Sequence, residues 1–368
     1  MAEKLALGLC LIRTILRHVR EEIEEPVVMT SVPSMTVAEA LGSAPKVISD
    51  LMGDSTLERC FRTAGLPESM AFHVGHYIPE IALSRFFDAA ARGAGDDLFG
   101  LRLAEHLSVT EYGPWGDYVL EAENLGAALQ RAVDIMHLHA DADTLTVRTG
   151  SLTTQFQYSF AEKSGSGYRQ IALAALGPLM SIPRHFCGQG WQPASVGVDL
   201  NDKTAARNIE ARLRIGSTSD SNCTSIEIPN SDLLAHNPET PITWTTIQDV
   251  ERSCLGGPPP NLASCVEALV MQSLATDAAT IEDVAFIMAT STRTLQRRLN
   301  DHGTDFRSVT ALARMRRATE LLTGTSTTVS EIASQLGYST TSHFSRAFRK
   351  SAGIAPNEFR TQFARTLR

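Results

Sequence analysis

The stretch Glu331-Ile-Ala-Ser-Gln-Leu-Gly-Tyr-Ser-Thr-Thr-Ser-His-Phe-Ser-Arg-Ala-Phe348 decides the fold of the carboxyl-terminal part of the chain. Thr328 and Glu331 stand at the spacing of a capping box, ahead of the apolar residues Ile332, Ala333 and Leu336. Gly337 supplies a left-handed turn without a Cβ clash, and Thr340 is placed to cap a second helix. On that helix Phe344 and Phe348 lie four apart and share one face, so Thr341, Ser342, Ser345 and Arg346 project from the other. A short helix, a tight turn and a second helix pinned by apolar residues is the packing logic of a helix-turn-helix, a motif that reads DNA.

The same pattern stands once more upstream. Thr280 caps a helix that carries Val284, Ala285 and Met288 inward, and Ser291 restarts the chain into Thr292-Arg-Thr-Leu-Gln-Arg-Arg-Leu299. With Leu295 and Leu299 buried, Arg293, Gln296 and Arg297 face outward; the second turn is one residue longer than the first. Arg bridges two guanine acceptors, Gln bridges adenine, and small hydroxyl side chains tolerate close approach to a major-groove edge. Between the copies, Ser308 to Leu322 reads as one amphipathic helix, with Leu312, Met315, Ala318, Leu321 and Leu322 on its apolar side. Such a helix holds two reading helices at a fixed separation, and successive major-groove faces lie about 34 Å apart. A helical bundle with an Arg-rich surface is the plainer alternative, weakened by the two copies standing in register.

These residues carry a family resemblance. Ser291 to Leu299, Glu331 to Ser339, Ser342 to Arg349 and Gly353-Ile-Ala-Pro-Asn-Glu-Phe-Arg360 together resemble the DNA-binding domain of AraC/XylS-type transcription regulators, over about Asn261 to Arg360. The resemblance implies that both second helices touch DNA, through Arg293, Gln296 and Arg297 and through Thr341, Ser342 and Arg346. Double-stranded DNA and RNA polymerase are the expected partners and a ligand-responsive activator the expected function, although the sequence does not name the sign of regulation. Ala289 departs from the pattern, where the family often has Gly; a Cβ there costs about 1 kcal/mol if the residue is left-handed.

The charge is divided along the chain. From Asn261 onward there are 13 Lys/Arg against 9 Asp/Glu, net +4, whereas the preceding residues hold 20 against 32, net −12. The basic excess sits with the motif, as phosphate contact requires, and it is almost entirely Arg, which favours bidentate contacts. Length and composition suit a globular protein of two or three domains. The six cysteines, Cys10, Cys60, Cys187, Cys223, Cys254 and Cys265, show no C-x-x-C spacing, so neither a disulfide framework nor a zinc site is indicated. Leu5 to Leu16 is apolar but too short for a bilayer span and lacks a convincing cleavage site. A cytoplasmic, membrane-free protein is expected.

Gly256-Gly-Pro-Pro-Pro260 reads as a spacer. The expected division is an amino-terminal extension over 1–34, an α+β domain for ligand binding or dimerisation over 35–250, a linker over 251–260, and an all-α DNA-binding domain with tandem helix-turn-helix motifs over 261–368. Within the α+β domain, Thr36 to His106 reads as helices broken by Gly65-Leu-Pro67 and Gly93-Ala-Gly95. Thr144 to Phe160 alternates as a hairpin around Gly150. A helix from Arg169 to Phe186, a strand at Val196–Val198, a helix from Thr204 to Leu213 and a strand at Ser225–Ile228 follow. Phe99-Gly-Leu-Arg-Leu103, Tyr112-Gly-Pro-Trp-Gly-Asp-Tyr118 and Leu125-Gly-Ala-Ala-Leu129 resemble the arabinose-binding-like amino-terminal domain of one branch of these regulators, without implying a sugar ligand.

The upstream domain shows no nucleophile elbow, no P-loop and no H-E-x-x-H, so no catalytic residues and no cofactor are assigned. Asp134, His137, His139, Asp141 and Asp143 have the residue types of a metal site, but they fall where a helix runs out into the hairpin and polar residues are expected anyway. His73 and His76 read as surface or packing histidines. Tyr112, Trp115 and Tyr118 flank a Gly-Pro turn on irregular backbone; they either wall a pocket for an apolar or planar effector or cap the core. A ligand-controlled regulator explains the separate acidic domain best. An architectural DNA binder and an enzyme fused to a DNA-binding module are the alternatives, and a homodimer is compatible with the first.

Overall fold

Period-two alternation builds the sheet of the amino-terminal unit. The computed structural model describes residues 32–72, 75–200, 202–218, 220–239, 244–274 and 280–364, and the chain divides into two units, residues 33–258 and, apart from 287–289, the residues from Pro259 onward. The first opens with β1 (Met35–Val37), paired antiparallel with β2 (Tyr77–Pro79). Helices α1 (Ala44–Met52), α2 (Asp54–Ala64), α3 (Glu80–Ala94) and α4 (Phe99–Ala104) pack in succession, and α3 meets β2. α2 and α3 end where Gly65 and Gly95 take left-handed φ values of 75° and 61°. Gly93 does not break the helix; it lies inside α3.

Next come α5 (Pro114–Leu120), α6 (Leu125–Asp134), the hairpin β3 (Thr144–Thr149) and β4 (Thr153–Ser159), then α7 (Tyr168–Ala174) and α8 (Leu176–Cys187). β5 (Ser195–Asp199), α9 (Lys203–Leu213), β6 (Gly216–Thr218), β7 (Asp220–Pro229) and α10 (Ile247–Ser253) complete the unit. The larger sheet has the order β3-β4-β7-β5-β6, antiparallel except for the β5–β6 pair. Its register aligns Val147, Phe156, Ile226 and Val196 in one cross-strand row. Phe156, Ile226 and Val196 are buried there, with α6, α7 and α8 packed against the strands.

Three expectations are corrected. The single helix from Arg169 to Phe186 is two, because Pro178 has no N–H to give and its ring clashes with the carbonyl of Ala174, where α7 ends. The Gly-Pro segment around Tyr112–Tyr118 is not irregular: a 3-10 turn (Val109–Tyr112) leads into α5, with Pro114 in its first turn, a position that needs no N–H. Residues 251–253, read as spacer, are the end of α10, and Cys254 beyond them is buried. α10 starts with a capping box between Thr246 and Asp249 and packs on α5, so folded chain continues almost to the prolines. The ribbon strands β1 and β2 and the short edge strand β6 were not anticipated.

The second unit is helical throughout its described residues: α11 (Leu262–Ser273), α12 (Ile281–Ile287), α13 (Thr292–Asp301), α14 (Phe306–Gly324), α15 (Val329–Gln335), α16 (Thr341–Ala352) and α17 (Pro356–Ala364). The connecting helix α14 is longer than expected at both ends, and its 19 residues span about 28 Å. Its buried row is Val309, Ala313, Met315, Ala318 and Leu322, whereas Leu312 and Leu321 are only half-buried. Phe344, Phe348, Phe359 and Phe363 stack in sequence, with centroids 5.7, 5.3 and 4.4 Å apart. This ladder fastens α17 to the second helix-turn-helix. The expected amino-terminal extension lies almost wholly outside the described residues.

Candidate DNA-reading helices and effector cavity

Each helix-turn-helix is held by the same set of backbone devices. Thr280 and Asp283 close a capping box at the start of α12, with the Asp283 N–H donating to Thr280 Oγ1 at 3.2 Å and the Thr280 N–H to Asp283 Oδ2 at 2.9 Å. Thr328 and Glu331 do the same for α15, at 3.2 and 2.8 Å, and these hydrogen bonds hold the Glu331 carboxyl below its ordinary range. Both first helices end in a Schellman turn: Thr290 N–H reaches Ala285 O at 2.8 Å, and Tyr338 N–H reaches Ala333 O at 2.9 Å. Gly337 sits in the second turn at φ 73°, and Ala289 takes the equivalent left-handed place at φ 51°.

Ser291 and Thr340 then cap the second helices, accepting from the N–H groups of Thr294 and His343. Leu295, Leu299, Phe344 and Phe348 are all buried, which fixes the opposite faces outward. On α13, Arg293, Gln296 and Arg297 are exposed; on α16, Ser342 and Arg346 are exposed, while Thr341 and Ser345 are half-buried. Thr341 donates to Ser330 Oγ at 3.2 Å, so its hydroxyl is engaged with the first helix of its own motif. Arg297 and Arg346 stand two residues past the inward-facing Leu295 and Phe344, in equivalent places.

The arginines of this unit fall into two groups. Arg316 pairs with Glu267 and Glu320, Arg317 with Glu320, Arg360 donates to the carbonyls of Leu322 and Thr327, and Arg314 lies over the Tyr338 ring at 5.9 Å. Those hold the scaffold. Among the described residues, none pairs with Arg293, Arg297 or Arg346. Arg349 and Lys350, in the last turn of α16, are also exposed; the sequence reading passed over them, although their position beside Arg346 was the available signal.

In the amino-terminal unit a cavity of about 80 Å³ lies under the hairpin, between α3, α5, α8 and the sheet. Gly116 makes its aromatic wall possible: a Cβ there would stand 1.8 Å from the carbonyl oxygen of Val109, so only glycine lets α5 close against the preceding 3-10 turn. That approach brings Tyr112 and Trp115 to the cavity. Tyr118 does not join them. Its ring faces the Arg131 guanidinium at 4.8 Å, and Arg131 also donates to the Tyr118 carbonyl at 2.8 Å, so these contacts with α6 occupy Tyr118.

The cavity has a polar wall drawn from separated segments, Glu80, His139, Asp143 and Tyr158; sequence reasoning singled out His139 and Asp143 only as residue types of a metal site and missed Glu80 and Tyr158. The His139 ring lies 4.9 Å from Tyr112 and 5.5 Å from Trp115, and burial pushes its pKa down to about 4, so it is neutral near pH 7. Glu80 is pushed up to about 9, first by burial and then by the neighbouring negative charge of Asp143. The other members of the Asp/His cluster have local duties: Asp134 accepts from Gln130, His137 Nδ1 lies 3.0 Å from Asp134 O, and Asp141 accepts the Met35 N–H at 2.9 Å. Among the described residues no three His, Cys, Asp or Glu side chains converge on a metal position. His73 lies outside them. Burial raises the pKa of the Cys60 thiol to about 11 and raises that of Cys254, which keeps both protonated. Among the described residues no helix is long and apolar enough to cross a membrane.

Comparison with known proteins covers both units. A profile described as the arabinose-binding domain of AraC transcription regulator, N-terminal, matches residues 56–237, and one described as a helix-turn-helix domain matches residues 284–362. The Ornithine utilization regulator of Pseudomonas aeruginosa is 27% identical over 271 residues, 72% of this chain and 79% of that one. The Transcriptional activator NphR of Rhodococcus sp is 32% identical over 100 residues, 27% of this chain and only 30% of NphR. The crystal structure of transcriptional regulator CdpR from Pseudomonas aeruginosa is 21% identical and aligns with a TM-score of 0.37, covering 84% of this chain and 98% of that one.

Proposed function

Because the chain belongs to the AraC-type transcription regulators, with an arabinose-binding-like domain ahead of a helix-turn-helix domain, we propose that it is a ligand-responsive activator that reads two adjacent major-groove segments. α13 reads one segment with Arg293, Gln296 and Arg297. α16 reads the other with Ser342 and Arg346, while Ser345 and Thr341 sit at the edge of the contact. Arg349 and Lys350 meet phosphates beside it. The observation that carries this reading is the equivalence of Arg297 and Arg346: each is exposed, unpaired among the described residues and held outward by buried residues on the same helix. A long Arg side chain kept free in two like positions is suited to bidentate contact with guanine.

The cavity beside Tyr112 and Trp115 takes the effector, and occupancy shifts the balance between states of different DNA affinity or self-association. An effector does this only if it binds one state better, and a coupling of about 1–3 kcal/mol suffices. RNA polymerase is the partner on which activation acts, a homodimer is the competing or coexisting role of the first unit, and a cytoplasmic location gives access to DNA.

Genome-wide mapping of bound DNA, followed by footprinting, tests the reading. A protected region of about two helical turns is expected. A chain beginning at Pro259 should retain operator binding and lose the response to the inducing condition. Sequence-independent binding at physiological salt, or a full response by the shortened chain, overturns the reading.

A further inference from the structure

The cavity has a chemical polarity that narrows what can occupy it. Glu80 begins α3 and Asp143 immediately precedes β3, and both are buried at the cavity wall. Three of their four carboxyl oxygens have partners: Glu80 Oε2 accepts the Glu162 N–H at 3.1 Å, Asp143 Oδ1 accepts the Ala161 N–H at 2.8 Å, and Asp143 Oδ2 accepts from the Tyr158 hydroxyl. Among the described residues no donor reaches the fourth, Glu80 Oε1, on a side chain only 3% exposed; the proton that Glu80 carries is shared with the neighbouring Asp143 carboxyl. Among the described residues His139 Nδ1, on the same wall, also lacks a partner, and a buried polar group left unpaired is costly, so these two atoms are the parts of the wall that gain most from a ligand.

The rest of the lining decides the sign of that ligand's charge. Phe87, Trp115, Phe156 and Phe160 present aromatic surface, His139 is neutral, and among the described residues neither Lys nor Arg lines the cavity. An anion would meet acidic groups and the negative faces of aromatic rings with no cationic side chain among the lining residues to offset them. A cation gains from both. The volume, about 80 Å³, is roughly half that of a 150 Å³ cavity that admits benzene, so the occupant is compact.

We propose that the effector is a small organic amine, its protonated nitrogen held at Glu80 Oε1 beside Asp143 and its apolar body against Phe87, Trp115 and Ile182. This rests on the cavity being the effector site. Proton balance follows: near neutral pH Glu80 holds a proton, and the arriving ammonium displaces it to solvent, so one proton leaves as one amine binds. The titratable groups around Glu80 are Asp143 just before β3, Asp141, the Tyr158 hydroxyl on β4 and Glu162, which lines the same cavity and whose N–H donates to Glu80 Oε2.

The test uses the full-length protein and three probes of one size, n-butylamine, 1-butanol and butyrate, by titration calorimetry in buffers of different ionisation enthalpy. n-Butylamine should bind at least tenfold more tightly than 1-butanol, with net proton release, and butyrate should bind weakest. Glu80→Gln should lose at least tenfold in amine affinity together with the proton release, its melting profile reporting that it is folded. Ala174→Phe, which fills the apolar side of the cavity, should weaken all three probes. Equal or better binding of 1-butanol or butyrate, with Ala174→Phe still blocking it, overturns the amine assignment while leaving the cavity as the effector site. If no probe binds and Ala174→Phe also leaves the cellular response intact, both the assignment and the effector site fall.

Discussion

The paired turns of the two helix-turn-helix motifs make a matched experiment. Ala289 and Gly337 occupy the same left-handed place, at φ 51° and 73°. An L-residue there costs about 1–2 kcal/mol through the clash of its Cβ with the neighbouring carbonyl. Exchanging Ala for Gly relieves that cost but frees the unfolded chain, which takes back about 0.4–1 kcal/mol. Ala289→Gly should therefore stabilise the carboxyl-terminal unit by about 0.5–1 kcal/mol. Gly337→Ala should destabilise it by a similar amount, since the nearest atom to a new Cβ is Arg314 Nη2 at 3.7 Å, an ordinary contact that adds no clash. For a domain of about 100 residues, such changes move the midpoint by roughly 2–8 °C in opposite directions. Calorimetry of the full chain, following the transition of this unit, reads both. Shifts of the same sign, or a loss of stability in Ala289→Gly, would refute the assignment of Ala289 as a strained glycine position.

Arg297→Ala and Arg346→Ala should each weaken operator binding by about 1–3 kcal/mol and relax preference in only one half of the site, measured by titration against DNA altered in either half; a uniform loss across all sequences would make them phosphate contacts. Operator affinity should fall steeply with salt, and Arg349→Ala or Lys350→Ala should each reduce the slope of log affinity against log salt by about 1. Phe348→Ala should cost about 3–5 kcal/mol, because it removes the middle of the ring ladder between Phe344 and Phe359; denaturant unfolding checks this. Glu80 binds its proton more tightly folded than unfolded, its pKa rising from 4.5 to about 9, so this group's contribution to stability is greatest below about pH 4.5 and is lost as pH rises toward 9. Glu80→Gln should flatten the alkaline side of a stability profile of the amino-terminal unit, and an unchanged profile would remove Glu80 as its cause.

Local pattern was enough for the helix-turn-helix motifs. The capping residues Thr328, Glu331, Ser291 and Thr340, the inward pairs Leu295/Leu299 and Phe344/Phe348, and the outward arginines follow from spacings of three and four residues, because a helix places such neighbours on one face whatever surrounds it. The hairpin around Gly150 was legible for the same reason, through a period of two. The α+β character of the first unit and the all-α character of the second were accordingly readable from the chain.

What tertiary structure decided is where distant segments meet. Glu80, His139, Asp143 and Tyr158 form one polar wall although they belong to α3, the turn after α6, the start of β3 and β4. No short-range spacing encodes that encounter. Trp115 and Tyr118 looked alike in sequence and stand three apart on α5, yet Trp115 lines the cavity while Arg131 on α6 engages Tyr118, and α5 itself depends on Gly116 meeting a carbonyl where a Cβ cannot fit. The division of the arginines into scaffold and free groups likewise depended on which acids and carbonyls the fold brought within reach. Periodicity is a property of neighbouring residues, whereas burial and pairing belong to the packed whole; the reading helices could be found from the first, and the cavity only from the second.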